Sequence, residues 1–292
     1  MPHIRRLTAL LLCSMLCLIA GAQELTVGTY NIRNNANSDS LKGNGWQERC
    51  PAMCAQIKWE RPDILGMQEV LHAQLTDLAT GLPAYRWIGV GRDDGMEGGE
   101  YAAIFYRTER VELLDEGHFW LNETPDRPAR CWDAVCVRIC TWGHFRDRLS
   151  GKDFYVLNLH MDHVGTVARR EAARLVMQRI NAMTSGGQKP AVLTGDFNVS
   201  QSDELYTLFT SQGTLKDCYT AARERFAENG TFNAFNATAH TTERIDHIFV
   251  TTPTQVSAYA VRTDSRWAPD AEGRMRQRVI SDHYPVFARI TF

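Results

Sequence analysis

The chain lacks any apolar run of the ~20 residues that a helix needs to cross a bilayer; the stretch from Leu7 to Ala20 falls short. It lacks a basic excess, with 32 Lys and Arg against 34 Asp and Glu. Binders of duplex DNA draw most of their affinity from clustered cations on phosphates, so stable duplex binding is not expected. Paired Cys-x-x-Cys motifs and Cys/His zinc spacings are missing too. Cys50, Cys54, Cys131, Cys136, Cys140 and Cys218 are too sparse for a disulfide scaffold and read mostly as buried small hydrophobes. No internal repeat, low-complexity tract or linker interrupts the sequence, which argues for one domain.

The short apolar run has a different meaning. Arg5 and Arg6 precede it and Ala20-Gly21-Ala22 follows it, the pattern of a removable secretory signal over residues 1–22. Neither Cys13 nor Cys17 follows a small residue, so no lipid-attachment cysteine is expected. A secreted or periplasmic domain of residues 23–292, with no membrane anchor, is the expectation. Loss of Arg5 and Arg6 leaves 30 basic against 34 acidic residues, a formal charge of −4. Arg127 to Arg130 and Arg274 to Arg278 form short basic clusters, local anion pockets or, as for most charge runs, solvated faces.

Alternation and β-branched runs predict strands over Leu25–Ile32, Ile64–Gln68, Tyr85–Val90, Tyr101–Tyr106, Val111–Trp120, Ala134–Trp142, Phe154–His160, Ala191–Thr194, Arg244–Val250, Val256–Val261 and Pro285–Phe292. Helical spacing covers Trp46–Trp59, His72–Ala79 and Val167–Met183, with Ser202–Phe209 shorter. Pro51 predicts that the first is fully helical only past its opening turn. Helices that fall between strands predict sheets covered on their outer faces. The polar loops Asn34–Gly45 and Arg92–Glu100 each follow a strand, where site loops tend to sit.

Seven stretches put a carboxylate, amide or imidazole where a strand begins or ends. They are T-Y-N-I (Thr29–Ile32), M-Q-E-V (Met67–Val70), G-E-Y-A-A-I-F-Y-R (Gly99–Arg107), N-L-H-M-D-H (Asn158–His163), T-G-D-F-N (Thr194–Asn198), R-I-D-H-I-F (Arg244–Phe249) and S-D-H-Y-P-V (Ser281–Val286). Any one of them reads as a turn cap or a satisfied structural histidine. Seven together point to a site.

These motifs, above all G-D-F-N and the terminal S-D-H-x-P, resemble the endonuclease/exonuclease/phosphatase superfamily over Leu25 to Phe292. The resemblance implies a four-layer α/β sandwich, two mixed β-sheets packed face to face with helices outside and the site at one end. It implies a phosphate-ester hydrolase that uses Mg2+, with Mn2+ as a possible substitute, because a hard cation with oxygen ligands neutralises charge on the phosphoryl group. Glu69 is the best ligand, with Asn31 beside it and Asp282 closing the site from the other sheet. Asp196 and Asn198 would position the attacking water and a phosphate oxygen. His283 would act as general base, its tautomer fixed by Asp246. His160, oriented by Glu100, would contact a phosphate oxygen or assist the leaving group. Tyr101 and Asp162 are weaker substrate-binding candidates, and His247 is expected to pack on the far side of its strand.

Phe119 to Pro125 resembles an F-W-L-S-x-T-P stretch of an exported bacterial branch, with Asn122 where Ser is usual; a turn and a substrate loop fit it equally. Trp46, Trp132 and Trp267 are expected to pack in the core rather than stack on a substrate ring. The substrate is expected to be a phosphorylated small molecule, a lipid-linked phosphate or a nucleotide. A nuclease, whether an exonuclease or an endonuclease, needs the same site, and short single strands can be held by stacking. A non-catalytic binding protein would be marked by loss of Glu69, Asp196 or His283, and all three are present.

Overall fold

The structure, a computed structural model, describes residues 24–226, 229–270 and 272–292, so the signal expected over residues 1–22 lies outside the described residues. Strands follow in the order β1 (Leu25–Asn31), β2 (Ile64–Val70), β3 (Tyr85–Ile88), β4 (Tyr101–Arg107), β5 (Val111–Trp120), β6 (Ile139–Asp147), β7 (Asp153–His160) and β8 (Ala191–Asp196). They continue with β9 (Leu215–Asp217), β10 (Glu224–Phe226), β11 (Asp246–Thr251), β12 (Gln255–Val261), β13 (Ser265–Pro269), β14 (Met275–Val279) and β15 (Val286–Thr291). One sheet has the order β10-β12-β15-β1-β2-β4-β3, the other β5-β6-β7-β8-β11-β9, and β13-β14 form a separate hairpin. Both large sheets are mixed: β1 pairs parallel with β2 and antiparallel with β15, while β7 pairs parallel with β8. Among the described residues, no helix is long and apolar enough to cross a membrane.

Strand alternation explains the layers. In β7 and β8, Phe154, Val156 and Val192 face the other sheet, while Leu157, Leu159 and Leu193 face outward. The inter-sheet layer joins Val27, Ile64, Ile104, Phe145, Ile248 and Val286 from both sheets. Helices Trp46–Glu60 and His72–Gly81 cover one outer face, and helix Thr166–Thr184 covers the other with Ala173, Val176 and Ile180. This is the expected four-layer sandwich.

Toward one end, the inward positions of the same strands turn polar. Thr29, Gln68, Asn158 and Thr194 are fully buried there. Gln68 Nε2 donates to Thr29 Oγ1 (3.0 Å) and Asn158 Oδ1 (2.7 Å), and Asn158 Nδ2 donates across the sheets to the Met67 and Ala103 carbonyls, both at 2.9 Å. Gly66 permits this approach, because a Cβ there would lie 2.3 Å from Thr194 Oγ1 and 2.5 Å from Asn158 Oδ1.

Three expectations differ from the structure. Residues Ala134 to Arg138 form a loop, and the strand begins at Ile139, because the Val135 and Cys136 amides donate to Asp162 Oδ2, both at 3.0 Å, instead of to a ladder. Helix Trp46–Glu60 is continuous through Pro51. Its first turn is held by the Gly45 amide donating to Glu48 Oε2 (2.9 Å), by Trp46 Nε1 donating to Asp77 Oδ2 (2.7 Å), and by Arg49. Hairpin β13-β14 carries Arg274 and Arg276, which pair with Asp270, so this basic cluster is a solvated face; Trp267 on it is 67 % exposed and not in the core.

Arg49 organises one rim of the sandwich. It is fully buried, and its guanidinium donates to the carbonyls of Asn44 (2.8 Å), Ile32 (2.6 Å), Arg33 (3.0 Å) and Ile280 (3.3 Å). It thereby ties the segments carrying Asn31 and Asp282 to the same helix. Arg49→Met removes all four of these hydrogen bonds, and only the Arg33 carbonyl keeps a second donor, Gln74 Nε2 (3.1 Å). It is expected to destabilise the protein by about 3 kcal/mol or more in urea unfolding, and a wild-type midpoint would contradict this role.

Candidate active site

At the polar end of the sandwich, β1, β7, β8 and β11 deliver Asn31, His160, Asp196 and Asp246 from their last or first inward positions. His160 and Asp196 border a cleft of about 370 Å3, also lined by Arg33, Glu69, Arg92, Arg138, Asn198 and His283. Glu69 reaches it by leaving the strand pattern: the β2–β4 register shifts between Met67 and Val70, and Glu69 has φ 60°. A non-glycine residue there is strained, and such strain persists only where the surroundings enforce it. Asn31 Nδ2 donates to Glu69 Oε1 (3.0 Å), and the Asn34 amide donates to Oε2 (3.1 Å).

Asp282 and His283 diverge. Asp282 Oδ2 lies 3.8 Å from Arg33 Nε, whereas His283 Nδ1 pairs with Asp246 Oδ2 at 2.8 Å. His283 Nε2 then lies 3.7 Å from Asp196 Oδ2, and Asp196 Oδ1 accepts from the Asn198 amide (3.0 Å). Burial alone disfavours the His283 cation, but the Asp246 and Asp196 carboxylates hold its pKa well above the usual histidine value. Burial, reinforced by the Asp246 charge, pushes Asp196 up to about 7. His160 behaves oppositely: burial, then the charges of Arg138 and Arg92, hold it well below the usual value and therefore neutral. Its Nε2 sits 3.5 Å from Asp196 Oδ2.

Glu69, Asp196, Asn198, His160, Asp282 and His283 thus line one cleft, with Asn31 and Asp246 directly behind them. Asn31 bridges Glu69 and Asp196 through Nδ2, so it orients these carboxylates, while its Oδ1 accepts from the Arg33 amide (3.0 Å) and keeps one lone pair. Three expected contacts are different. Glu100 does not hold His160; it pairs with Arg92 and accepts from Asn34 Nδ2 (3.0 Å). Tyr101 donates to the Met96 carbonyl (2.9 Å) and meets His72 Nδ1 (3.1 Å), bracing the loop before β4. Asp162 is buried and accepts from the amides of Val135, Cys136, Val164 and Gly165, so it shapes two loops instead of meeting substrate. His247 does pack on the far side, against Phe197 and Phe249, with Nε2 on the Val199 carbonyl (2.8 Å). Asn122 accepts from the Thr124 amide (2.7 Å) and donates to the Arg127 carbonyl (2.9 Å), which makes that stretch a turn.

The residues not anticipated are Arg33, Arg92, Arg138, His163 and Phe232. Arg33 follows T-Y-N-I directly, a signal that was available. His163 closes the N-L-H-M-D-H stretch and Arg92 opens the polar loop Arg92–Glu100, whereas Arg138 and Phe232 come from loops with no pattern of their own; neither expected basic cluster lines the cleft.

Glu69 and Asp282 both face Arg33 at 3.8 Å, too far for a tight ion pair. Burial raises the Asp282 pKa, with the Glu69 charge adding to the rise and His283 and Arg33 opposing it. The carboxylates of Glu69 and Asp282, both facing Arg33, form an oxygen set suited to a hard divalent ion. Asp196, Asp246 and His283 also bring ligand atoms within 4.8 Å of one another. A cation there would have to break the His283–Asp246 hydrogen bond, so the Glu69–Asp282 side is the better fit.

Residues 28–283 match the sequence profile of the Endonuclease/Exonuclease/phosphatase family. A solved structure of a family protein from Bacteroides thetaiotaomicron is 46 % identical, with a TM-score of 0.90, covering 92 % of this chain and 98 % of that one. A mannosyl-6-phosphatase of the same organism is also 46 % identical, with a TM-score of 0.89, covering 92 % and 100 %. Nocturnin of Drosophila melanogaster is 24 % identical over 172 residues, 55 % of this chain and 25 % of its own length. The chain spans less than half the length of each nocturnin it matches.

The strain at Glu69 is testable apart from catalysis. Glu69→Gly, which accepts a positive φ, is expected to stay within about 1 kcal/mol of wild-type stability, whereas Glu69→Val loses about 2 kcal/mol or more. Equal stabilities of the two variants in thermal unfolding would show that the backbone at residue 69 is not constrained.

Proposed function

The chain belongs to the endonuclease/exonuclease/phosphatase family and is a metal-dependent phosphoesterase; from that premise we propose an exported, Mg2+-dependent hydrolase of a carbohydrate phosphate. What supports the chemistry is one observation: Glu69, Asp282, Asp196, His160 and His283, spread over the chain, line a single cleft. What supports the sugar is the 46 % identity to a mannosyl-6-phosphatase over that chain's full length. A lipid-linked or nucleotide phosphate fits the same cleft chemistry. The apolar run before residue 23 supports export.

Glu69 and Asp282 would hold the cation, which supplies charge neutralisation at the phosphoryl oxygens. Asp196, beside the His283 cation, would orient a water for in-line attack on the phosphorus and take its proton. Asp246 fixes the imidazole through Nδ1, leaving Nε2 toward the cleft. His160 and Asn198 face the same space, His160 as a neutral donor to a phosphoryl or leaving-group oxygen. No serine or cysteine nucleophile is invoked, so the water oxygen ends on phosphate and the alcohol leaves with a proton.

A nuclease reading draws on the nocturnin similarity. Labelled single-stranded RNA, single-stranded DNA and duplex, tested beside sugar phosphates, separate the two readings.

Glu69→Gln and His283→Ala are each expected to lower turnover about a hundredfold or more with normal melting, and EDTA to abolish it with recovery on adding Mg2+. Turnover that survives both substitutions would remove the site assignment, and indifference to EDTA would remove the cation.

A further inference from the structure

We propose that Arg138, seated beside Arg92 in the cleft wall, makes this site select phosphomonoesters over phosphodiesters. The inference rests on the phosphoesterase reading above and deepens it.

The other cationic groups around the cleft each have a carboxylate partner. His283 answers Asp246 and Asp196, Arg92 is spent on Glu100, and Arg33 stands between Asp39, Glu69 and Asp282. Arg138 is the exception. It is only 5 % exposed, yet its closest carboxylate oxygen, Asp162 Oδ2, lies 3.9 Å away. That oxygen already accepts two backbone amides, and the other oxygen of Asp162 accepts two more. Arg138 Nε and Nη1 have no hydrogen-bond partner, and Nη2 meets only the His163 ring, at 3.2 Å. Burial, then the like charge of Arg92, lowers its pKa without bringing a guanidinium near neutrality.

An unpaired buried charge is costly, and removing its compensation is strongly destabilising. Arg138 lines the cleft itself, together with a narrow niche that it shares with Arg92, Glu100 and His160. Its field therefore acts where the substrate phosphoryl group must lie to meet His160 and Asp196. A phosphomonoester carries nearly two negative charges at pH 7, because its second ionisation falls near pH 6; a diester carries one. At an effective dielectric near 20, one extra charge about 6 to 12 Å from the guanidinium is worth a factor of about ten to a hundred. The arginine acts through charge, so lysine should substitute for it better than a neutral residue of similar length.

The test compares p-nitrophenyl phosphate with bis-p-nitrophenyl phosphate in the presence of Mg2+, for wild type, Arg138→Gln and Arg138→Lys, with inorganic phosphate as a competitive inhibitor. Wild type is expected to favour the monoester. In Arg138→Gln the monoester-to-diester ratio of kcat/KM falls about tenfold or more, phosphate inhibits about tenfold more weakly, and Arg138→Lys recovers most of both. A variant that loses both activities in proportion, or a ratio unchanged in Arg138→Gln, overturns the proposal while leaving the phosphoesterase intact. If wild type turns over neither these esters nor sugar phosphates, the functional reading fails and the inference with it. Should Arg138→Gln fold poorly, phosphate inhibition of Arg138→Lys and Arg92→Lys against wild type still decides: both keep the charge, and a large loss of inhibition in both contradicts a charge-based role.

Discussion

The hydrogen bond between His283 and Asp246 joins the two sheets where the chemistry lies. Asp246 opens β11 in one sheet, and His283 stands three residues before β15 in the other. The pair is buried, and its second carboxylate oxygen, Asp246 Oδ1, has no hydrogen-bond partner among the described residues. Asp196 and Asn31 lie against the imidazole, and the Asp246 amide donates to Thr231 Oγ1 (3.1 Å). The separation and register of the sheets at this end are therefore set by polar geometry, whereas at the other end they are set by packing of Phe145, Phe154 and their neighbours.

Beneath that pair, the Gln68–Asn158–Thr194 network is a graded transition from an apolar layer to a charged one. Each side chain finds a donor or acceptor in the opposite sheet or a neighbouring strand, while Gln68 Oε1 has no partner among the described residues. The consequence for function is rigidity: Asn31, His160 and Asp196 each rise from a strand whose next inward residue, Thr29, Asn158 or Thr194, is held by hydrogen bonds, and Asp246 from one whose next inward residue, Ile248, is packed in the core. Glu69 gains the same precision differently, from a bulge and a left-handed backbone that strand geometry alone would not produce.

The cleft is electrostatically two-sided. Carboxylates of Glu69 and Asp282 gather on one wall, and Arg92 with Arg138 stands on the other, with His160 kept neutral close by. That polarity suits a substrate whose phosphoryl oxygens are shared between a cation and fixed positive charge. A single Arg–Glu pair offsets part of the positive wall, so the arrangement is tuned by Glu100, which braces Arg92 and Asn34 instead of touching His160.

Much of this was legible in the amino-acid order, because strand periodicity is local. Alternation in Phe154 to His160 already separates a core face from an outer face and puts His160 at the inner tip, and G-D-F-N and S-D-H-x-P mark where strands open into loops. Local patterns also sort Asp282 from His283, since neighbours at a strand end must diverge. Partners across the sandwich were another matter. Asp162 was read as a substrate ligand and Glu100 as a brace for His160, yet hydrogen bonds to Val135, Cys136, Arg92 and Asn34 claim them, and these depend on how loops from distant segments meet. Arg138 carries no motif at all; its unpaired charge exists only because folding buries it between Arg92 and an already saturated Asp162. Sequence by itself determined the inner and outer faces of the strands, since those follow from spacing within one element, and its motifs carried the resemblance to the family and to its acidic and imidazole groups. Tertiary structure alone decided which charges are compensated, because that depends on distances between residues the chain order keeps far apart.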